Sequence, residues 1–137
     1  NKGFFILNNK IINFYEGLYL LEKGEAEAYD EDGNKIELKD ILKDEEIKIK
    51  YQIYKDLKEK NLIVGSGLKF GGLFRIYENP SDEHSKWILF PVKLNEKFVV
   101  HDFLAKNRVA HSTRKSLLIA LMDENNIRYL EIKWKKL

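Results

Sequence analysis

The chain has 137 residues, 44% of them hydrophobic and 34% charged, with a net charge of +2, the profile of one globular domain or of a domain with a small appendage. With no cysteine in the sequence, disulfides, thiolate nucleophiles, iron–sulfur clusters and the usual structural zinc sites are excluded. No apolar run approaches the roughly 20 residues that span a bilayer, and no leader-like segment opens the chain, so a cytoplasmic protein with no membrane partner is expected.

In chain order, GFFIL predicts a short strand and NFYEGLYLLEKG a helix with Phe14, Leu18 and Leu21 on one face and Gly24 as its stop. EAEAYDEDGNKI has the signals of strand, Asp-Gly turn and strand. From about Leu42 to Lys60 the spacing of Ile47, Tyr51, Tyr54 and Leu57 predicts one long amphipathic helix. LIVGSGLKFGGLFRIYE predicts two strands with a tight turn at Gly65–Gly67. KWILFPV is a further strand, HDFLAKNRVAHSTRK returns to helical spacing, SLLIALM suits a buried strand, DENN a turn and IRYLEIKW a final strand. The expected order is a small acidic α/β piece followed by a basic αββαββ domain with a mixed sheet. The aromatic series Tyr51, Tyr54, Phe70 and Phe74 reads as core.

Charge is unevenly distributed. Residues 1–45 carry 6 Lys/Arg against 11 Asp/Glu, whereas residues 84–137 carry 11 against 5 together with His84, His101 and His111. A basic C-terminal half is what a polyanionic partner would meet, since phosphate neutralisation is the main sequence-independent term in nucleic-acid binding. On a helix, Arg108, Ser112 and Lys115 fall at i, i+4 and i+7 with His111 beside them, one polar stripe. On a strand, Arg75 and Tyr77 share one face and Phe74 and Ile76 the other. The loop ENPSDE can bring His84 back towards Tyr77. Arg75 and Lys69 read as sheet-edge or phosphate-screening residues.

Tyrosine, histidine and lysine suffice for one reaction without a metal. Cleavage of RNA by its own 2′-hydroxyl needs a base at that hydroxyl, an acid for the leaving 5′-oxygen and a cation for the charge growing on phosphorus. Histidine titrates near neutrality, lysine is a fixed point charge, and tyrosine, with an ordinary pKa near 10, becomes a base only where a neighbouring cation favours its phenolate.

The stretches YKDLKEKNLIVGSGLKFGGLFRIYE, EHSKWILFPV and NRVAHSTRKSLLIALMDENNIRYLEIKW resemble, in order, the catalytic domain of archaeal tRNA-splicing endonucleases from Tyr54 to Trp134. Shared are a Tyr–x–Asp–Leu helix, a Gly–Leu–Lys–aromatic–Gly turn, a strand ending in tyrosine, a His–Ser dipeptide and an Arg–Val–Ala–His–Ser–x–Arg–Lys helix. EGLYLLEKGEAEAYDEDGNKI is similar to the family's N-terminal helix and strand, with the region before it shortened. The resemblance implies an α/β (α+β) fold: a shortened N-terminal α/β domain over residues 1–45, then a mixed-sheet, restriction-endonuclease-like catalytic domain over residues 46–137.

It also implies a tRNA-intron endonuclease that cuts precursor tRNA at bulge-helix-bulge sites without a metal or other cofactor, leaving a 2′,3′-cyclic phosphate and a 5′-hydroxyl. Tyr77 would be the general base, His84 the general acid, Lys115 the cation, and Arg108 half of a clamp that stacks on a bulged base. Arg128 and Trp134 are candidates for the other half. His111 matches the pattern without being the family's catalytic histidine and reads as structural, hydrogen-bonding inside the helix packing.

Two alternatives belong to other classes. Glu131–x–Lys133 imitates the acid–x–lysine signature of metal-dependent nucleases, and a noncatalytic subunit would only bind RNA or scaffold a partner. The latter would be expected to lose the triad, and all three members are present. Family enzymes place two active sites to cut both intron boundaries, so partners are expected, with C-terminal strands such as IRYLEIKWKKL pairing across a dimer. Homotetramers use an acidic loop after the strand written here WILFPV; VKLNEKFVV has two lysines and one glutamate. A heterotetramer with a separate structural subunit is therefore expected, a homotetramer being the alternative.

Overall fold

The computed structural model describes residues 4–7, 13–68, 72–97 and 99–137, and the chain divides into two compact units, residues 1–55 and 56–137. Lys69 and Phe70, named above, lie outside the described residues.

In the first unit, β1 (Phe4–Leu7), β2 (Glu27–Asp30) and β3 (Lys35–Ile36) form an antiparallel sheet in that order. α1 (Phe14–Glu22) starts where the Asn13 side chain accepts the N–H of Glu16 at 2.8 Å, and it ends before Gly24, whose φ of +76° suits glycine. The β2–β3 turn is held by Asp30, whose carboxylate accepts the backbone N–H groups of Asp32 and Asn34. Leu18, Ala28, Ile41 and Tyr51 form the core, with Phe14, Leu21 and Ile47 packed against it.

The helix expected from about Leu42 to Lys60 is present as one helix that starts three residues later, at Glu45. A short α2 (Leu38–Ile41) precedes α3 (Glu45–Glu59), because the Asp44 carboxylate accepts the N–H groups of Glu46 and Ile47 at 3.0 and 3.2 Å and so caps a new helix. Tyr51, Tyr54 and Leu57 are buried as their spacing predicts.

The second unit is a five-stranded mixed sheet in the order β4 (Ile63–Ser66), β5 (Phe74–Tyr77), β6 (Trp87–Lys93), β7 (Ser116–Asp123) and β8 (Asn126–Ile132). Neighbours are antiparallel except β6 and β7. That parallel pair requires a crossover, supplied by α4 (Val100–Ser112). Three strands thus precede the crossover helix, one more than the αββαββ order allows. The β4–β5 turn is also displaced: Gly65 lies inside β4, opposite Arg75, and the connection spans residues 67–73, with Gly67 N–H donating to the Leu73 carbonyl at 3.1 Å.

One sheet face carries Ile88, Phe90, Val92, Leu117 and Ile119, which pack with Ala110 and Phe103 of α4. Phe74, Ile76, Leu89, Leu118 and Met122 are buried on the opposite face, where Tyr129 donates its hydroxyl to Asp56 in the last turn of α3. Burial on both faces explains why SLLIALM is apolar without alternation. Among the described residues no helix is long and apolar enough to cross a membrane.

Candidate active site

The sheet register sets the site. Ile76 of β5 pairs with Trp87 of β6, and Trp87 pairs with Ser116 of β7. Because β5 runs against β6 while β6 and β7 run together, the C-terminal end of β5 and the N-terminal ends of β6 and β7 meet at one end of the sheet. Tyr77, the last residue of β5, and Lys115, just before β7, therefore flank the start of β6 from either side. Two strand spacings put their backbones on the order of 10 Å apart. Backbone bonds lock the row: Lys86 N–H to the Ile76 carbonyl at 2.8 Å and Ser116 N–H to the Lys86 carbonyl at 2.9 Å.

His84 lies in the exposed loop that feeds β6. Lys115 Nζ donates to the carbonyl of Ser85, the next residue, at 3.3 Å. Ser85 is 4% exposed, and its hydroxyl has no hydrogen-bond partner. Its place between His84 and the lysine was not visible in the sequence. Two further neighbours escaped the sequence reading: Lys86 pairs with Glu78 at 3.2 Å, and Trp87 donates its indole N–H to Glu131 at 2.7 Å.

Lys115 is not on the helix, contrary to the stripe at i, i+4 and i+7. α4 closes at Ser112, Arg114 adopts φ +61°, Arg114 N–H bonds the His111 carbonyl and Lys115 N–H the Ala110 carbonyl at 2.7 Å. This is a Schellman closure with arginine in the left-handed position that glycine usually fills. The closure turns the chain directly into β7 and presents Lys115 at the sheet end.

Between the end of α4 and the end of β8 is a cavity of about 360 Å³ lined by Asn107, His111, Arg114, Lys115, Lys133 and Trp134 among others. His111 is exposed, with its ring 5.8 Å from the Trp134 ring, edge to face. It faces this cavity and is not buried in helix packing, a correction to the structural reading. Arg108 is exposed on α4 and does not line the cavity. Of the two clamp candidates, Trp134 is at the cavity. Arg128 pairs opposite Leu121, five residues along β7 from Ser116 and so roughly 17 Å from the site end.

Arg75 sits in β5, an interior strand, and so is not at the sheet edge. Its guanidinium carbon is 5.9 Å from the centre of the Tyr77 ring. Glu131 is engaged by Trp87 and lies 3.8 Å from Lys133. Among the described residues no group of three or more His, Cys, Asp or Glu is gathered to hold a metal.

Residues 47–129 match the family model described as the tRNA intron endonuclease, catalytic C-terminal domain, and Tyr77, His84, Arg108 and Lys115 all fall within the match. The chain is 41% identical to a tRNA-splicing endonuclease of Nanoarchaeum equitans, over 96% of this chain and 93% of that one. It is 37% identical to one of Thermococcus onnurineus (99% and 84%) and 36% identical to one of Saccharolobus solfataricus (92% and 74%). Fold and matches together define an endonuclease, a mixed α+β enzyme built on a five-stranded sheet. The chain belongs to the tRNA intron endonuclease family.

Proposed function

We propose that this chain cleaves precursor tRNA at the intron boundaries of bulge-helix-bulge elements by attack of the 2′-hydroxyl on the adjacent phosphorus, without a metal. Tyr77, through its phenolate, takes the 2′-hydroxyl proton. His84 gives a proton to the departing 5′-oxygen, and Lys115 stabilises the charge on the phosphoryl oxygens. The products are a 2′,3′-cyclic phosphate and a 5′-hydroxyl. Arg108 stacks on a bulged base, its exposed guanidinium reaching RNA rather than protein. The observation that carries this reading is the row across the sheet end, with Tyr77 and Lys115 on either side of the strand that His84 leads into.

Residues 46–137 are proposed as the catalytic domain and residues 1–45 as the N-terminal domain, in line with the family match beginning at residue 47. A heterotetramer with a structural subunit is proposed as the active form, with a homotetramer the alternative. The single acid of the loop after β6, Glu96, is spent on its own turn, accepting Lys93 N–H at 3.0 Å. A cytoplasmic location is proposed with it, in keeping with a tRNA-processing role.

The test is to incubate the chain, both alone and purified together with its structural subunit, with a bulge-helix-bulge precursor in EDTA and examine the product ends. Cyclic phosphate and 5′-hydroxyl ends support the reading. Cleavage only after magnesium is added overturns it in favour of metal chemistry at Glu131 and Lys133. Four identical active chains by light scattering overturn the heterotetramer.

A further inference from the structure

Arg75 is placed unlike an ordinary strand arginine. It shares a face with Tyr77, two residues on, and its guanidinium carbon lies 5.9 Å from that ring's centre, within the range of a cation–π contact. The side chain reaches this position by crossing the neighbouring strand at Gly65, its register partner. A Cβ at Gly65 would stand 2.9 Å from Arg75 Nε and 3.4 Å from its Cγ, so the glycine is a notch that the arginine stem fills. Within that notch Nε is buried with no hydrogen-bond partner. An unmet buried donor is unfavourable, and a residue serving only to screen phosphates would leave its guanidinium in water.

We infer that Arg75 is a positioning residue for Tyr77: laid across the Gly65 notch, its guanidinium holds the tyrosine ring at the sheet end in the orientation the reaction uses. This rests on the role proposed for Tyr77. The contact leaves the tyrosine's oxygen to the substrate, so its loss affects the chemical step more than RNA binding.

The experiment uses the full chain with Arg75→Met, Arg75→Lys and Gly65→Ala, each compared with Tyr77→Phe and the double variant Arg75→Met/Tyr77→Phe. Circular dichroism and melting verify folding. Expected for Arg75→Met is a kcat lower by roughly tenfold or more with KM within about twofold. The Tyr77 ring resonance in a carbon-13 tyrosine-labelled sample, assigned by its absence from Tyr77→Phe, should be displaced. Arg75→Lys, which keeps a cation, should recover part of the rate, and Gly65→Ala should displace the same resonance. In the Tyr77→Phe background Arg75→Met should lower the rate no further.

A raised KM with unchanged kcat would make Arg75 an RNA phosphate contact and overturn the inference, as would an unmoved Tyr77 resonance. If Tyr77→Phe cleaves normally, the role of Tyr77 fails while the resonance still reports the contact, so the two failures are distinguishable.

Discussion

Lys115 Nζ donates to the carbonyl oxygen of Ser85, tying the cation at the start of β7 to the residue that follows His84. A carbonyl orients an ammonium through its dipole and leaves the formal charge in place. Lys115→Ala should therefore slow cleavage by about 10²–10³-fold, the usual cost of removing one group that stabilises developing charge. RNA affinity rests on many other basic residues and should fall little. Single-turnover cleavage beside filter binding checks both, and a variant that cleaves at the normal rate removes Lys115 from the site.

Tyr77 and His84 approach the start of β6 from different elements, a strand end and an exposed loop. Each is expected to matter for proton transfer rather than for folding. Tyr77→Phe keeps the ring beside Arg75 and deletes one oxygen; His84→Ala changes an exposed side chain. Losses of about 10²–10⁴-fold in kcat are expected for each, with melting temperatures unchanged. Near-full cleavage by Tyr77→Phe would refute its assignment as the base.

The sequence carried the strands of the site and missed its corner. Phe74 and Ile76 against Arg75 and Tyr77 is a period-two pattern, and it placed Tyr77 on the polar face because one face of β5 is buried. Likewise the unbroken run Leu117–Ala120 identified a strand covered on both sides. The end of α4 was misplaced because its closure uses Arg114 at positive φ, where neither glycine nor proline marks the stop. The start of α3 at Glu45 rather than about Leu42 depends on one capping carboxylate, Asp44, which hydrophobic spacing does not mark. Pairing of β5, β6 and β7 at one end is long-range register, which hydrophobic periodicity does not encode; the Ser85 contact with Lys115 follows from that register alone.

Tyr129 links β8 to the last turn of α3 by donating its hydroxyl to Asp56. Asp56 also meets Lys60 at 2.7 Å, so Tyr129→Phe leaves the carboxylate paired and should cost about 1 kcal/mol. Burial, and then the hydrogen bond to Asp56, raise the Tyr129 phenol above its ordinary value. The folded state thus favours the neutral phenol: the stabilisation is complete below the unfolded value of about 10 and is lost as pH rises beyond it towards the folded value. Urea melts at about pH 8 and about pH 11, on either side of that value, should show wild type losing more stability than Tyr129→Phe across the interval. Equal losses would show that the Tyr129 hydroxyl does not contribute to the alkaline transition.

β8 is the last strand of its sheet; Leu130, 50% exposed, shares with Ile132 the face that α4 packs on, and Trp134, 48% exposed, follows just beyond the strand's end. An open edge with exposed apolar side chains is a site for pairing with another strand, and burying Leu130 across such a pairing would contribute about 1 kcal/mol or more per copy. Leu130 stands opposite Ile119 but is half exposed, so Leu130→Lys puts a charge at the edge and should weaken assembly while the fold, checked by circular dichroism, persists. Light scattering should then give a mass near that of a single 16.2 kDa chain, and cleavage should fall in parallel under the proposal that paired sites cut the two intron boundaries. An unchanged mass for Leu130→Lys would place the subunit contact elsewhere than on β8.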